Sequence, residues 1–198
     1  MRAMAGVGMP AALPTVVTAA DGVARCRWAT ETGRDLRTYH DREWGVPTRD
    51  DTALFELLAL TYFENGLSWA AVFDKRNSLR NAFRGFAPAS VAAMTTDDVE
   101  RLMADTSIIR NRRKIEATVH NARLLSKYSL SQLCWQHEPR QRHRLRSWDD
   151  GRMASPESIQ LSVALREAGF HLVGPVVAHS FMQTAGIENG HFEGCFRA

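Results

Sequence analysis

The 198-residue sequence has little that would cross-link the chain or anchor it in a membrane. Its three cysteines, Cys26, Cys134 and Cys195, are an odd number and do not suggest a disulfide framework. They favour a reducing compartment, so we expect a cytoplasmic protein. No apolar run approaches the ~20 residues that cross a bilayer, so no membrane partner is expected. A formal charge of only +3 permits a nucleic-acid partner without requiring one.

The N-terminus carries little charge and no regular apolar pattern. Pro10 and Pro14 interrupt its weakly apolar stretch, which argues against a secretory signal peptide. We therefore expect a disordered tail over residues 1–24 and a single all-helical domain over residues 25–198. A chain of this size buries roughly 70% of its unfolded surface and needs no disulfides to fold.

Period-two alternation is also missing, and apolar residues recur at helical spacing instead. Helices are predicted at residues 50–65, 68–83 and 111–127, after Pro88, from Thr95 to about Ala104, from Ser155 to Gly169, and at 174–186. Capping residues open several of these segments, as in Ser155-Pro156-Glu157. The pattern predicts an all-α fold.

Two stretches interrupt the helical pattern. Residues 20–48 are rich in turn residues, and residues 134–154 are polar and basic. The arginines of the second stretch are Arg140, Arg142, Arg144, Arg146 and Arg152. Basic residues interleaved with aromatic ones can bind a phosphate backbone. A solvated connecting loop is the other interpretation.

Candidate metal ligands stand near both ends of the chain. Cys26 and His40 lie in the turn-rich stretch, and His191 and Cys195 stand four positions apart near the C-terminus. Together they form a Cys₂His₂ set, which matches the nitrogen and sulfur ligands of structural zinc. Alternatively, the cysteines are small core residues and the histidines lie at the surface.

Several short runs occur in an order that is typical of one enzyme family. They are Arg25-Cys26-Arg27-Trp28, Tyr39 to Pro47 (YHDREWGVP), Gly66-Leu67-Ser68-Trp69, Ile108-Ile109-Arg110, Phe181-Met182-Gln183 and His191-x-x-x-Cys195. Over about residues 25–197 the sequence resembles the DNA-3-methyladenine glycosylase type I family. The resemblance implies a helix-hairpin-helix-related fold. It also implies a zinc ion bound by Cys26, His40, His191 and Cys195 that joins the N- and C-terminal segments.

The resemblance also implies an activity in base-excision repair. Such a protein, expected here as a monomer, removes alkylated purines such as 3-methyladenine from double-stranded DNA by hydrolysing the N-glycosidic bond after base flipping. The implied base pocket contains Tyr39 and Trp69, surrounded by Trp28 and Trp44, although ordinary packing is the alternative for each. The implied DNA-binding hairpin falls at residues 105–114, with Ile109, Arg110, Arg112, Arg113 and Lys114 as contacts.

The implied pocket departs from the family pattern. Thr61 stands at the position of a family glutamate, and Tyr62 replaces a glycine beside it. A threonine can accept a hydrogen bond but cannot supply a counter-charge for a cationic base. Glu64, one helical turn later, is either a substitute carboxylate or a solvent-facing or helix-pairing residue. Other departures are Leu36 and His179 at tyrosine positions and Ser107 and Arg113 at hairpin glycines.

These departures leave three functions open. The first is a DNA glycosylase whose lesion preference can differ from that of the family. The second is a non-catalytic binder of damaged DNA or nucleobases. The third is an N-glycosidase that acts on a free nucleoside or a natural product.

Overall fold

The computed structural model describes residues 13–31, 34–141 and 143–198. In this part of the chain the fold is mostly helical. The α-helices are α1 Leu36–Arg42, α2 Asp51–Glu64, α3 Trp69–Ala82, α4 Pro88–Ala92, α5 Thr96–Ala104, α6 Arg112–Leu124, α7 Leu130–Trp135, α8 Pro156–Glu167 and α9 Pro175–Thr184. Short 3₁₀ turns occur at Arg27–Thr30, Arg84–Phe86 and Trp148–Asp150. No helix within the described ranges is long and apolar enough to cross a membrane.

A short antiparallel hairpin precedes the helices. Strand β1 (Val16–Thr18) pairs with strand β2 (Ala24–Cys26), and Val17 lies opposite Arg25. The expectation of a disordered tail over residues 1–24 is therefore wrong for the hairpin residues, while residues 1–12 lie outside the described residues. Strands of three residues are too short to show alternation in a sequence.

The helices predicted from periodicity are present, with bounds that differ by a few residues. Two further helices arise where none was predicted. Helix α1 lies inside the turn-rich stretch and begins after Asp35, whose side chain accepts a hydrogen bond from Thr38 N at 3.1 Å. Helix α7 begins after Ser129, which caps it in the same way. Both helices are too short for an amphipathic period to stand out.

Helix α2 is the central element of the main core. Asp50 caps its N-terminus by accepting a hydrogen bond from Ala53 N at 2.8 Å. Its buried residues include Leu54, Leu58 and Phe63, and it packs against α3, α6, α7 and α9. A helix that is apolar on most of its surface is enclosed by others. Cys134, which matches no metal-ligand position, is a buried free thiol in this core.

A smaller core joins the N-terminal hairpin to the C-terminal segment. It consists of Cys26, Trp28, Ala29, Trp44, Leu145, Phe192 and Cys195. Glu193 N donates a hydrogen bond to Leu145 O at 2.7 Å, and the ring of Trp148 lies edge-on to Phe192 at 4.6 Å. Part of the basic 134–154 stretch therefore packs against the C-terminus. Its exposed arginines are Arg140, Arg144, Arg146 and Arg152, whereas Arg142 lies outside the described residues.

Candidate active site and metal centre

The structure brings the four candidate metal ligands together at one buried point. One ligand atom from each of Cys26, His40, His191 and Cys195 lies within 4.8 Å of the others. Cys26 Sγ is 3.6 Å from His191 Nδ1, and Cys195 Sγ is 3.4 Å from His40 Nε2. Strand β2 and helix α1 supply one pair of ligands, and the C-terminal segment supplies the other. This buried Cys₂His₂ group can bind a metal ion.

The surrounding contacts orient the two histidine rings. His40 Nδ1 lies 2.8 Å from Asp41 Oδ1, and Arg25 binds the same carboxylate through Nε and Nη2. A carboxylate on the far nitrogen directs the other nitrogen of a histidine towards a metal. His191 turns Nε2 towards Gly45 and finds no hydrogen-bond partner for it among the described residues. Its Nδ1 therefore faces the two thiols.

Gly45 is required where the chain passes this histidine. Its φ of +72° lies in the left-handed region, and a Cβ atom built there would be 2.6 Å from His191 Nε2. A side chain at this position would thus combine backbone strain with a clash. The tight approach explains the glycine that follows Trp44.

A layer of aromatic rings lies between the metal-ligand cluster and an open cleft. Trp44 lies edge-on to His191 with ring centroids 4.6 Å apart, and edge-on to Trp28 at 5.1 Å. Trp28 in turn contacts Trp69 at 6.3 Å and Tyr39 at 6.4 Å. Trp28 and Trp44 are buried, so they support the cleft wall from behind.

The cleft has a volume of about 250 Å³ and lies between α1, α2 and α3. Its lining includes Tyr39, Thr61, Glu64, Trp69, Phe73 and Arg76. The rings of Trp69 and Phe73 are stacked with centroids 4.7 Å apart, and Tyr39 lies 5.7 Å from Trp69. Such a wall offers aromatic faces to a planar or cationic ligand. The structure thus brings Tyr39, Trp69, Thr61 and Glu64 to one cleft.

The cleft also holds charged side chains that sequence reasoning missed. Arg76 lies over the ring of Phe73 at 3.9 Å and over Tyr39 at 5.4 Å, and it pairs with Glu43 at 3.6 Å. Phe73 and Arg76 follow Trp69 by four and seven positions. That spacing along α3 is the signal that would have placed them on the same face.

Thr61 and Glu64 differ in what they offer the cleft. Thr61 is buried, and its hydroxyl donates to Leu57 O at 2.8 Å, so only acceptor capacity remains. Glu64 is half-buried at the end of α2, and burial raises its pKa to about 7 although Lys114 acts to lower it. Burial also raises the pKa of Tyr39, with the charges of Glu64 and Glu43 as further causes.

Besides Trp28 and Trp44 behind the wall, three further predicted pocket residues do not line the cleft. Tyr62 points into the core, where its hydroxyl donates to Thr118 Oγ1 at 2.7 Å. His179 is buried on α9 and lies 3.3 Å from Glu188 Oε1. Leu36 is buried at the start of α1 and also lies outside the cleft lining. The position of each residue around its helix axis decides whether its side chain reaches the cleft, because neighbouring residues of a helix face different directions.

The turn between α5 and α6 carries the predicted DNA-binding residues. Arg110 and Arg113 are exposed, and neither forms an ion pair with another described residue. Arg112 is bound by Glu100 through two contacts of 2.8 Å. The amide of Ser107 donates to Asp105 Oδ1 at 2.8 Å and is thus engaged within the turn.

The other two predicted DNA-binding residues of this turn are more buried than the arginines. Ile109 is partly buried against the main core. Lys114 is buried, and its Nζ donates to Phe63 O and Asn65 O, each at 2.7 Å. The Lys114 ammonium is thus engaged within the protein, and a DNA contact by this residue stays a prediction. This lysine satisfies carbonyl groups at the C-terminal end of α2, where cations are stabilised.

Solved structures share this fold. A crystal structure of 3-methyladenine DNA glycosylase I matches with a TM-score of 0.80 and 39% identity, over 87% of this chain and 98% of that one. A second structure, a tyrosine-to-phenylalanine variant of such an enzyme in complex with 3-methyladenine, matches with a TM-score of 0.78 and 32% identity, over 84% and 94% of the two chains. The fold and the aromatic cleft thus define the class as the helical DNA glycosylases.

Sequence comparison identifies the family. The methyladenine glycosylase family model matches residues 28–198, and the chain belongs to this family. DNA-3-methyladenine glycosylase 1 of Escherichia coli (strain K12) is 38% identical over 179 residues, which are 86% of this chain and 95% of that protein. The resemblance inferred from the sequence runs is confirmed.

Proposed function

We propose that this protein is a DNA glycosylase of base-excision repair that hydrolyses the N-glycosidic bond of alkylated purines such as 3-methyladenine. The observation that carries the proposal is the aromatic cleft formed by Tyr39, Trp69 and Phe73. The family assignment and the names of its relatives support the same activity. The substrate is double-stranded DNA from which the alkylated nucleotide is flipped into the cleft.

The chemistry requires little acid catalysis from the protein. An N3-alkylated purine in DNA carries a positive charge, so the base leaves as a neutral molecule when the bond from C1′ to N9 breaks. The electron pair of that bond moves to the base, water adds to C1′, and the added water loses one proton to the solvent. The protein must therefore hold the base, exclude competing bases and admit water. Stacking on Trp69 and on the ring of Tyr39 performs the first task.

For DNA binding we propose the turn between α5 and α6, acting as a helix-hairpin-helix element. Its exposed cations, Arg110 and Arg113, have no ion-pair partner among the described residues and are suited to phosphate oxygens, and the start of α6 favours an anion. Ile109, partly buried, fixes the turn against the core. Arg112 contributes less, because Glu100 already neutralises it.

For the Cys₂His₂ group we propose structural zinc, with ligands from Cys26, His40, His191 and Cys195. Tetrahedral zinc with bonds of ~2.3 Å to sulfur and ~2.0 Å to nitrogen separates neighbouring S and N ligands by about 3.5 Å. The S-to-N distances of 3.4, 3.6 and 3.8 Å fit this value. The ion supplies no step of the hydrolysis; it joins β2 and α1 to the C-terminal segment.

We further propose a monomer that works in the cytoplasm, with residues 25–198 as one domain to which β1 adds a strand. The three buried free thiols suit a reducing compartment. Light scattering of the purified protein tests the oligomeric state.

An assay of base release from methylated DNA tests the proposed activity. We expect 3-methyladenine release well above the spontaneous rate, and a loss of about tenfold or more in Trp69→Ala, since stacking on one aromatic ring contributes about 1–3 kcal/mol. Trp69→Phe, which keeps an aromatic face, is the matched control and retains most activity. Release no faster than the spontaneous rate contradicts the proposal. Binding to damaged DNA without release would indicate a non-catalytic binder, and turnover of free nucleosides would indicate an N-glycosidase.

A further inference from the structure

We propose that Glu64 supplies the counter-charge for a cationic base in the cleft and so determines which bases the protein selects. The inference rests on the proposed function. It concerns the part of the cleft in which Thr61 offers a hydroxyl oxygen but no charge.

Arginines pair with two of the three glutamates that line the cleft, and Glu64 is the third. Glu43, Glu56 and Glu64 all line the cleft. Arg80 binds Glu56 at 2.6 Å, and Arg76 lies 3.6 Å from Glu43. Glu64 forms no ion pair within 4.0 Å with any described residue. It is therefore the one carboxylate of the described cleft lining that no arginine neutralises.

The nearest lysine does not neutralise Glu64 by direct contact either. Lys114 directs its Nζ to the carbonyl oxygens of Phe63 and Asn65, on either side of the glutamate. These two bonds hold the last turn of α2 in place. Lys114 is thus a positioning residue, and among the described residues no cation pairs directly with the carboxylate.

The position of Glu64 suits a ligand stacked in the cleft. It lies one turn beyond Thr61 on α2, and both side chains reach the same lining as Trp69. Tyr39 lines the same cleft, and the charge of Glu64 is one of the causes that raise the pKa of that tyrosine. A base stacked on Tyr39 or on Trp69 therefore lies within electrostatic reach of Glu64.

The half-buried location makes the charge selective. A carboxylate that is partly removed from water interacts with a cation more strongly than an exposed one does. When a neutral base covers the same carboxylate, the carboxylate loses water and gains no partner, which disfavours binding. Glu64 thus favours cationic bases and disfavours neutral ones.

We expect the charge of Glu64 to affect substrate binding rather than the breaking of the glycosidic bond. The positive charge of the base disappears as the bond to C1′ breaks, so a carboxylate beside the base stabilises the bound substrate at least as well as the transition state. Removing the charge should raise KM and leave kcat nearly unchanged. If Glu64 had a purely structural role, its removal would not raise KM while leaving kcat unchanged.

Binding of two small probes tests the proposal without base release. The probes are 3,9-dimethyladeninium, a permanent cation in which a methyl group replaces the sugar, and 9-methyladenine, its neutral counterpart. Calorimetry at about pH 8, where Glu64 with its pKa of about 7 is ionised, should show tighter binding of the cation by the wild-type protein. In Glu64→Gln we expect the ratio of the two affinities to fall about tenfold, the size of a partly screened charge pair. Glu64→Asp keeps the charge and should retain the preference for the cation.

Controls separate this proposal from the proposed function. Glu167→Gln removes an exposed carboxylate at the end of α8 and should leave the ratio unchanged. Circular dichroism checks that each variant is folded. An unchanged ratio in folded Glu64→Gln overturns the proposal even if the wild-type protein releases 3-methyladenine. A fall in the ratio supports it even if release is absent, in which case only the proposed activity fails. Equal binding of both probes by the wild-type protein also overturns it.

Discussion

His40 Nε2 and Cys195 Sγ lie 3.4 Å apart although 155 positions separate them in the sequence. Together with Cys26 and His191 they connect the two ends of the domain. Two buried thiols and two buried imidazoles in contact are costly for a fold unless they share a partner. A metal ion would provide that partner, and the closure of the chain would then depend on one site.

We expect one equivalent of zinc in the purified protein. Cys195→Ser should lose the metal and lower the stability by several kcal/mol, since structural zinc contributes on the order of 10 kcal/mol of binding free energy. Elemental analysis and thermal unfolding measure both effects. Cys134→Ser is the matched control, because this buried thiol lies outside the cluster and its loss should leave the metal content intact. A folded protein with less than about half an equivalent of metal would contradict the zinc proposal.

Thr61→Glu should increase the release of 3-methyladenine from methylated DNA. The new carboxylate would enter the cleft lining beside Glu64 and add a second counter-charge, for which we expect a gain of about tenfold in kcat/KM. Thr61→Gln adds similar bulk without charge and should give no gain. If all three proteins release the base at the same rate, position 61 does not face the base.

Glu64 should make the stability of the protein depend on pH. Burial raises its pKa from an ordinary 4.5 to about 7 in the folded state, so the folded protein holds more protons than the unfolded chain between these values. Stability is therefore highest below about pH 4.5 with respect to this group, and falls as the pH rises through 7. Glu64→Gln should unfold at a higher denaturant concentration than the wild-type protein at about pH 8, with a smaller difference at about pH 5. Equal midpoints at about pH 8 would show that the carboxylate is not desolvated.

The arginines of the turn between α5 and α6 should differ in their effect on DNA binding. Arg113→Ala should weaken binding and reduce the slope of log K against log salt by about one, because one phosphate contact is lost. Arg112→Ala is the comparison within the same turn, and its effect should be smaller since Glu100 already binds Arg112. Fluorescence anisotropy at several salt concentrations measures both. Equal slopes for Arg113→Ala and the wild-type protein would place the DNA elsewhere.

Local features of the sequence predicted most of the helices. The apolar spacing and the capping residues of α2, α5 and α8 act within one or two turns, so they are visible without knowledge of the rest of the fold. Helices α1 and α7 escaped prediction because they are short, and the hairpin of β1 and β2 because its strands have three residues each. Residue types and their order predicted the family, and the comparisons confirm it.

The directions in which side chains point were harder to predict from the sequence than the helices were. Tyr62 stands next to Thr61 in the sequence, yet it bonds to Thr118 in the core while Thr61 lines the cleft. Lys114 sits among exposed arginines and nevertheless points inward to the end of α2. A rotation of about 100° per residue separates neighbours on a helix, so the orientation of the whole helix decides which of them faces a site.

The sequence by itself determined the helical class, the family and the four residues that can bind a metal, because these depend on residue type, spacing and order. Only the tertiary structure decided which charges in the cleft are neutralised. Arg80 reaches Glu56 from another helix, and Arg76 likewise reaches Glu43, whereas Glu64 has no such partner among the described residues. Pairing between distant segments is a property of packing and not of local pattern. For that reason the sequence shows only that Thr61 lacks a charge, whereas the described part of the fold shows that Glu64 is the cleft carboxylate without an arginine partner.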